Sequence, residues 1–304
     1  MGSVMRALIT GRDGQLGGAL ANTLSPMGDI LVVGRRELDL SRPETIAPFL
    51  DAHSPTLIVN AAAYTQVDKA ETDRDLAFAV NQSAPYEMAN WAKKHNVPMI
   101  HYSTDYVFDG SGADYWREED PTGPLGVYGE SKLAGDNAVC AVSGSAVVLR
   151  TSWVYSAAGQ CFLTTMLKLG AERPALSIVD DQIGAPTPAP WLAAITARIL
   201  MGNKDADYRD AFDKTPQIYH IAPAGVCSWY EFAGAIFTAA RILELPLAIE
   251  TLTPIPSKDY PTPTERPQNS RLDTNKFRMR FDVELPNWRD LLAEVLREAV
   301  KNSR

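Results

Sequence analysis

The chain has 304 residues, of which 45% are hydrophobic and 22% charged, and its formal net charge is −8. This length suffices for one large domain or two, with the composition of an ordinary globular protein. The acidic balance argues against a nucleic-acid partner, and no apolar run approaches the roughly 20 residues that cross a bilayer. The cysteines and histidines show no metal-ligand spacing. We therefore expect a cytoplasmic protein with reduced thiols, no bound metal, and no nucleic-acid or membrane partner.

The amino-terminal segment combines a short apolar strand with a glycine-rich turn. Residues 5–10 (MRALIT) precede G-x-x-G-x-x-G at residues 11–17, and a helix is predicted from Gly18 to Leu24. Glycines let the backbone approach a pyrophosphate, and the helix that follows presents free N–H groups to it. An ordinary strand–helix connection is the alternative. Strand before and helix after favour a dinucleotide site.

Residues 30–36 (ILVVGRR) predict a second strand whose tip lies beside the adenosine ribose. Arginine at this tip suits the extra phosphate of NADP, whereas an acidic residue binds the ribose hydroxyls of NAD. Arg35 and Arg36 therefore favour NADPH, and Asp39 leaves NADH possible. Two solvated arginines at a strand end are the structural alternative.

Apolar strands alternate with helices through the first half of the chain. The pattern predicts strands at residues 57–60, 98–103 and 146–150, and helices at residues 42–52, with Ser41 as N-cap, and 73–95. This alternation predicts an α/β fold, a Rossmann-like doubly wound parallel sheet with helices on both faces. Ligands bind at the carboxyl ends of such strands. Candidate residues at these ends are Gly11, Arg35, Ala61, Thr104 and Thr151.

We expect residues 1–150 to form an NADP-binding domain and residues 151–304 mainly a smaller, interleaved substrate-binding domain. Segments near 176–187 and 217–227 are predicted to return to the first domain. Further predicted elements are strands at 177–179 and 217–221, helices at 160–170, 190–201, 228–243 and 287–301, and loops at 203–217 and 254–267. The substrate would lie in the crevice between the domains.

Tyr128 and Lys132 form a Y-x-x-x-K pair downstream of the segment 103–110 (STDYVFDG). Residues four apart share one helix face. A lysine ammonium beside a phenol favours the phenolate, so we expect a lowered pKa for Tyr128. Thr104 would hold a substrate oxygen against the phenol. Two surface residues on a helix are the alternative interpretation.

Together these motifs, with the N-A-A-A segment 60–63, resemble the extended short-chain dehydrogenase/reductase family. Within it the chain is similar to reductases of nucleotide-linked keto-sugars over nearly its whole length. The closer likeness rests on segments 63–71, 103–110, 129–132, 150–155, 181–187 and 266–272. The resemblance implies NADPH-dependent reduction of the 4-keto group of dTDP-4-dehydro-L-rhamnose, a nucleotide-sugar substrate.

The resemblance also implies residue roles. Tyr128 would donate the proton, Lys132 would tune it, and both would contact the nicotinamide ribose. The remaining cofactor residues would be Gly11, Gly14, Gln15, Leu16, Arg35, Asp39, Leu40, Ala61, Ala62, Ala63 and Tyr64. The substrate residues would be Thr104, Asp105, Tyr106, Trp153, Arg266, Asn269 and Ser270.

Other functions stay open. Related dehydratases carry Asp-Glu after the threonine, but Tyr106 follows Asp105 here, which disfavours elimination. Epimerases retain NAD, whereas the two arginines favour an exchangeable NADP. A regulatory subunit of methionine adenosyltransferase resembles the same family without being an enzyme. Some family members dimerise around magnesium, yet Gln15 and residues 185–194 show no acidic cluster, so we expect a monomer or weak homodimer.

Overall fold

Strands and helices alternate regularly along the first half of the chain and less regularly in the second. The computed structural model describes residues 5–142, 144–202 and 207–302, apart from the side chains of 301 and 302. The strands are β1 Arg6–Thr10, β2 Asp29–Val33, β3 Leu57–Asn60, β4 Met99–Thr104, β5 Ala146–Thr151, β6 Val154–Tyr155, β7 Ala175–Val179, β8 Ile183–Gly184, β9 Thr187–Pro188, β10 Gln217–His220, β11 Cys227–Ser228 and β12 Thr251–Ile255. The helices are α1 Gln15–Leu24, α2 Ile46–His53, α3 Val67–Ala70, α4 Arg74–Phe78, α5 Ala84–His95, α6 Val127–Ala141, α7 Phe162–Glu172, α8 Ala189–Met201, α9 Trp229–Ile242, α10 Asn275–Phe281 and α11 Trp288–Asn302.

A six-stranded parallel sheet forms the centre of the described chain, in the order β2-β1-β3-β4-β5-β10. The strand order reverses beside β1, because β2 lies on one side of it and β3 on the other. Ligands bind outside the carboxyl ends of the strands at such a reversal. The predicted doubly wound parallel α/β sheet is confirmed.

Helices cover both faces of the sheet, which explains why β3, β4 and β5 are buried along their whole lengths. Leu20 of α1 and Leu192 of α8 pack with Ile9 on one face. Leu50 of α2 and Met88 of α5 pack on the other. Burial of both faces accounts for the continuous apolar runs of these strands.

A separate hydrophobic cluster joins α7, α9 and α11 in the second half of the chain, with Leu163, Phe232 and Trp288 at its centre. The predicted capping box opens α9: the Ser228 hydroxyl accepts the Glu231 N–H, and the Glu231 carboxylate accepts the Ser228 N–H. Residues 217–220 join the main sheet as β10, whereas β7, β8 and β9 pair outside it. The division into two domains stays a prediction.

Several local predictions were wrong. The segment 42–52 begins as a 3-10 turn at Pro43–Thr45, and Ser41 donates to Asp39 instead of capping α2. A π-helical turn at Ala79–Ser83 interrupts the helix predicted over 73–95. The segment 254–267 begins inside β12, where Pro254 fits because an edge strand tolerates a missing N–H. The unpredicted α10 follows it, and residues 203–206 of the predicted loop lie outside the described residues.

Candidate active site

The glycine-rich turn after β1 leaves the start of α1 open. Gly11 has a φ of +85°, and a Cβ at Gly17 would lie 2.0 Å from the Gly11 carbonyl oxygen. Gly14 is the N-cap of α1 and has no side chain with which to cap it. The first turn, which begins with Gln15 and Leu16, also contains no acidic side chain. This cradle fits a pyrophosphate, which accepts N–H donors at a helix start.

Charged groups of both signs lie at the end of β2. Arg35 is exposed and pairs with Asp39 at 3.6 Å. Glu37 accepts the Gly34 N–H at 3.0 Å and pairs with Arg12 of the glycine-rich turn at 3.0 Å. The Arg12 guanidinium, with the Gly34 N–H, lowers the pKa of Glu37. Cations suited to a ribose phosphate therefore accompany a carboxylate suited to ribose hydroxyls.

Arg12 and Glu37 were not predicted, although Glu37 lies 20 residues after Gly17, about the spacing at which many dinucleotide sites carry an acidic residue. From the sequence, Asp39 is instead predicted as the acidic residue at this strand end. In the structure Asp39 accepts from Ser41, and Leu40 is buried in the core cluster beneath the sheet.

The cleft is the region at the carboxyl ends of β1, β3 and β4, next to the reversal of strand order. The segment after β3 lies there beside Gly11. The Ala62 N–H donates to Thr10 at 3.1 Å, and Ala61 and Ala62 approach so closely that a Cβ at Gly11 would lie 3.1 Å from Ala62. Small side chains at Ala61, Ala62 and Ala63 leave room for a ligand. Asn81, in the π-helical turn, accepts the Tyr64 N–H at 2.8 Å and donates to the Tyr64 carbonyl at 3.1 Å.

Thr104, Tyr128 and Lys132 come together at the carboxyl end of β4. The Thr104 hydroxyl donates to Asp105 at 3.1 Å and accepts the Tyr106 N–H at 3.2 Å. It lies near enough to the Tyr128 phenol to lower the pKa of that phenol. Lys132 is buried, and its Nζ donates to the Tyr102 carbonyl oxygen at 2.7 Å. A hydroxyl, a phenol and an ammonium group on two adjacent elements can bind and protonate a carbonyl oxygen.

The expected lowering of the Tyr128 pKa is wrong. Burial raises the pKa of Tyr128 to about 12, and the nearby Thr104 hydroxyl opposes this rise. Burial lowers the pKa of Lys132 to about 8, against the attraction of Asp136. Lys132 is not among the groups that shift the pKa of the phenol. The phenol is therefore protonated at neutral pH and available as a donor.

A chain of buried polar groups lies beneath Lys132. Asp136 pairs with Arg150 at 2.9 Å, and His101 Nε2 lies 4.0 Å from the Asp136 carboxylate. Asn60 bridges His101 and Thr10 at 3.0 and 2.6 Å. Burial and the Lys132 charge lower the pKa of His101, which keeps it neutral. The chain joins β1, β3, β4, β5 and α6 under the cleft, and within the described residues His101 Nε2, Asp136 Oδ1 and Arg150 Nη1 have no hydrogen-bond partner.

Asp105 and Tyr106 follow Thr104 into the cleft. Burial raises the pKa of Asp105 to about 6, against hydrogen bonds from Ser270 and Thr104. Its Oδ2 is buried without a hydrogen-bond partner among the described residues, so it can accept from a ligand hydroxyl. The Tyr106 ring meets the Tyr128 ring edge-on at 5.4 Å.

Trp153 lies in a constrained position beyond β5. Its φ is +48°, and its ring stacks on Trp229 with centroids 3.6 Å apart. A Cβ at Gly184 would lie 2.6 Å from the indole, so only glycine fits there. Trp229 in turn donates to Gln182 at 3.2 Å. These contacts define one orientation of the Trp153 indole.

The remaining predicted site residues, Arg266 and Asn269, lie on the segment 262–270 and make different contacts. Arg266 pairs with Asp68 at 2.7 Å, and its Nη1 is buried without a partner among the described residues. The Asn269 amide donates to the Ser111 and Asp114 carbonyl oxygens at 3.2 and 2.8 Å. Asn269 is thus an anchor of this loop, and its contact with a ligand stays a prediction.

The structure also gives contacts to residues for which the sequence predicted no role in the site, namely Asn81, Glu71, Asp136, Gln182 and Trp229. Within the described residues, no group of three or more His, Cys, Asp or Glu side chains is arranged to hold a metal ion. Cys140, Cys161 and Cys227 are free, as predicted. No helix in the described ranges has the length and apolar character needed to cross a membrane.

The fold and the site define an oxidoreductase of the dinucleotide-binding α/β class. The chain belongs to the family described as "RmlD substrate binding domain", whose model matches residues 5–301.

Similar proteins extend over nearly the same length. A dTDP-4-dehydrorhamnose reductase of Burkholderia thailandensis is 44% identical over 94% of this chain and 96% of its own. The Escherichia coli K12 protein of that name is 40% identical over 97% and 98%. The crystal structure of dTDP-4-dehydrorhamnose reductase from Bacillus anthracis in complex with NADP has a TM-score of 0.87 and 31% identity, covering 97% of this chain and 99% of that one.

Proposed function

We propose that this protein uses NADPH to reduce the 4-keto group of dTDP-4-dehydro-L-rhamnose to dTDP-L-rhamnose. The observation that carries the proposal is the placement of Thr104 near a buried, protonated Tyr128, with Lys132 one helical turn away. The relatives from Burkholderia thailandensis and Escherichia coli carry the corresponding name.

NADPH, when bound, supplies the hydride to the ketone carbon. As negative charge grows on the ketone oxygen, Thr104 and Tyr128 hydrogen-bond it and Tyr128 gives up its proton. The phenol suits this role because its pKa of about 12 keeps the proton in place until the oxygen becomes basic. Lys132, one helical turn from Tyr128, would hold the nicotinamide ribose together with the phenol.

The cofactor would occupy the cleft between the glycine-rich turn and the segment 61–64. Gly11, Gly14, Gln15 and Leu16 would hold the pyrophosphate at the start of α1. Arg35 and Arg12 would meet the ribose phosphate of NADPH, and Glu37 makes NADH a second substrate of the same site. The NADP in the Bacillus anthracis structure supports this assignment. Residues 1–150 would thus bind the cofactor, and residues 151–304 mainly the substrate.

On the substrate side, Asp105, Tyr106 and Trp153 would border the sugar, and Arg266 and Ser270 would lie toward the nucleotide. The free oxygen of Asp105 suits a sugar hydroxyl. The buried, unpartnered Nη1 of Arg266 suits a phosphate oxygen, since guanidinium groups bind phosphates through charge-assisted hydrogen bonds.

The test uses the purified protein, the keto-sugar generated in situ by the preceding enzymes, and NADPH deuterated at the transferable position. We expect loss of NADPH absorbance and a dTDP-L-rhamnose product with deuterium at C4. NADPH binding without oxidation would contradict the proposal and favour the non-catalytic alternative. Oxidation with another keto-sugar alone would assign a different substrate.

A further inference from the structure

Asp68 binds both the backbone and the side chain of the segment that carries Arg266. Its Oδ1 lies 2.7 Å from Arg266 Nη2 and accepts the Thr264 N–H at 3.3 Å. Arg266 is largely buried, with 18% of its side chain exposed. One side of the guanidinium is therefore fixed by Asp68, while Nη1 keeps an unused donor.

Glu71 connects the same segment to the catalytic helix. Its Oε1 accepts the N–H of Val127, the first residue of α6, at 2.9 Å. The hydroxyl of the buried Thr264 lies 3.4 Å from the same oxygen. Glu71 thus satisfies a backbone donor at the helix start and contacts the Arg266 segment through a single carboxylate oxygen.

Gly126 explains why the carboxylate comes from elsewhere in the chain. This residue is the N-cap of α6 and has no side chain with which to cap it. A Cβ at Gly126 would lie 2.7 Å from Glu71 Oε1 and 2.5 Å from Thr264 Cγ2. Glycine leaves the space in which Glu71 and Thr264 meet, so Glu71 replaces the missing cap.

We propose that Asp68 and Glu71 are positioning residues that couple the Arg266 segment to Tyr128. The inference rests on the proposed function, in which Arg266 binds the diphosphate of the nucleotide sugar. Asp68 orients the guanidinium toward that diphosphate. Glu71 and Thr264 transmit the position of the segment to Val127, which directly precedes Tyr128. Substrate binding thereby fixes the first turn of the catalytic helix.

The kinetic test separates the two carboxylates. Asp68→Asn is expected to raise the KM for the nucleotide sugar about tenfold with little change in kcat, because ground-state binding alone weakens. Glu71→Ala is expected to lower kcat about five- to tenfold, because the start of the catalytic helix loses its cap, with NADPH affinity unchanged. Thr264→Val is expected to lower kcat by a smaller factor, because the cap remains and only the 3.4 Å contact of the segment with Glu71 is lost. Glu71→Gln restores kcat, since its amide oxygen can accept the Val127 N–H.

Glu130→Gln is the matched control, because Glu130 lies on the same helix and, among the described residues, forms its ion pair with the exposed Arg74 at 2.8 Å. Its kinetics should equal those of the parent. Equal loss in Glu71→Gln and Glu71→Ala, or a lowered kcat in the control, would overturn the positioning role.

Hydrogen exchange supplies a readout that does not depend on turnover. In the parent, dTDP should protect the amides of residues 127–131 and 262–266 together. In Thr264→Val it should protect 262–266 alone. Unchanged protection of 127–131 in both Thr264→Val and Glu71→Ala would overturn the coupling.

Failure of the proposed function gives a different result. In that case the parent reduces no keto-sugar and dTDP protects neither segment. The contact between the two segments is then tested by hydrogen exchange of the ligand-free protein. Glu71→Ala must accelerate amide exchange in residues 127–131 and 262–266 together. Acceleration confined to one segment would overturn the inference by itself.

Discussion

Asp136 and Arg150 form an ion pair at 2.9 Å, with 0% of the Asp136 side chain and 3% of the Arg150 side chain exposed. Asp136 lies one helical turn after Lys132 on α6. The pair joins α6 to β5 near Tyr128 and Lys132. Asp136 also attracts Lys132 and raises its pKa against the effect of burial. The charge of Lys132 thus depends in part on a buried ion pair one helical turn away.

Asp136→Asn should destabilise the fold, because it leaves the buried Arg150 charge without its partner. Breaking a buried pair in this way costs about 3–5 kcal/mol. The free energy of unfolding, measured by denaturant titration, should fall by that amount. Glu130→Gln, which removes an exposed pair with Arg74, should cost at most about 1 kcal/mol. Similar losses in the two variants would contradict the account.

Asp105→Asn should stabilise the protein at high pH and lower its activity. Burial raises the pKa of Asp105 from 3.8 to about 6, so the folded state holds this proton more tightly than the unfolded state. Asp105 therefore destabilises the fold progressively as the pH rises from about 4 to 6, and fully above 6. Removing the carboxylate should add up to about 3 kcal/mol at pH 8 and little at pH 4.

Unfolding of parent and Asp105→Asn at these two pH values checks this prediction. If the two proteins differed in the free energy of unfolding by the same amount at both pH values, ionisation of the Asp105 carboxylate would not be the cause of the difference. The expected loss of turnover in a more stable variant would place Asp105 among the groups that bind substrate.

Much of the local structure around the glycine-rich turn and the strand ends was predictable from the sequence because its signals are local. Each of these motifs is formed by residues close together in the sequence. They are the G-x-x-G-x-x-G turn, the strand ends at Gly11, Ala61 and Thr104, and the Tyr128–Lys132 pair. A parallel sheet then places the strand ends along one edge. The capping box at Ser228 was predictable for the same reason.

The remaining features depend on contacts between distant segments or on burial. Asn81 lies in a π-helical turn and binds the backbone of Tyr64, 17 residues earlier, and no local pattern marks that turn. Glu71 meets Val127 across 56 residues. The pKa of Tyr128 rises because the ring is buried, a property of the folded packing that the Lys132 spacing does not reveal.

The charges at the end of β2 predict how cofactor preference changes. Arg35→Ala should lower kcat/KM for NADPH about tenfold, the value of one charge-assisted hydrogen bond, and leave kcat/KM for NADH nearly unchanged. Glu37→Gln should act in the opposite direction, by weakening NADH use and freeing Arg12 for the phosphate. The ratio of the two kcat/KM values is the measurement. A ratio unaffected by either substitution would exclude this pair of residues from cofactor selection.

The central claim is that Tyr128 donates the proton in a keto-sugar reduction, and Tyr128→Phe tests it most directly. The measurement is NADPH oxidation with dTDP-4-dehydro-L-rhamnose, together with NADPH affinity by fluorescence titration. The account predicts that turnover falls about 10²–10⁴-fold while NADPH still binds and the protein stays folded. Unimpaired turnover in Tyr128→Phe would contradict it.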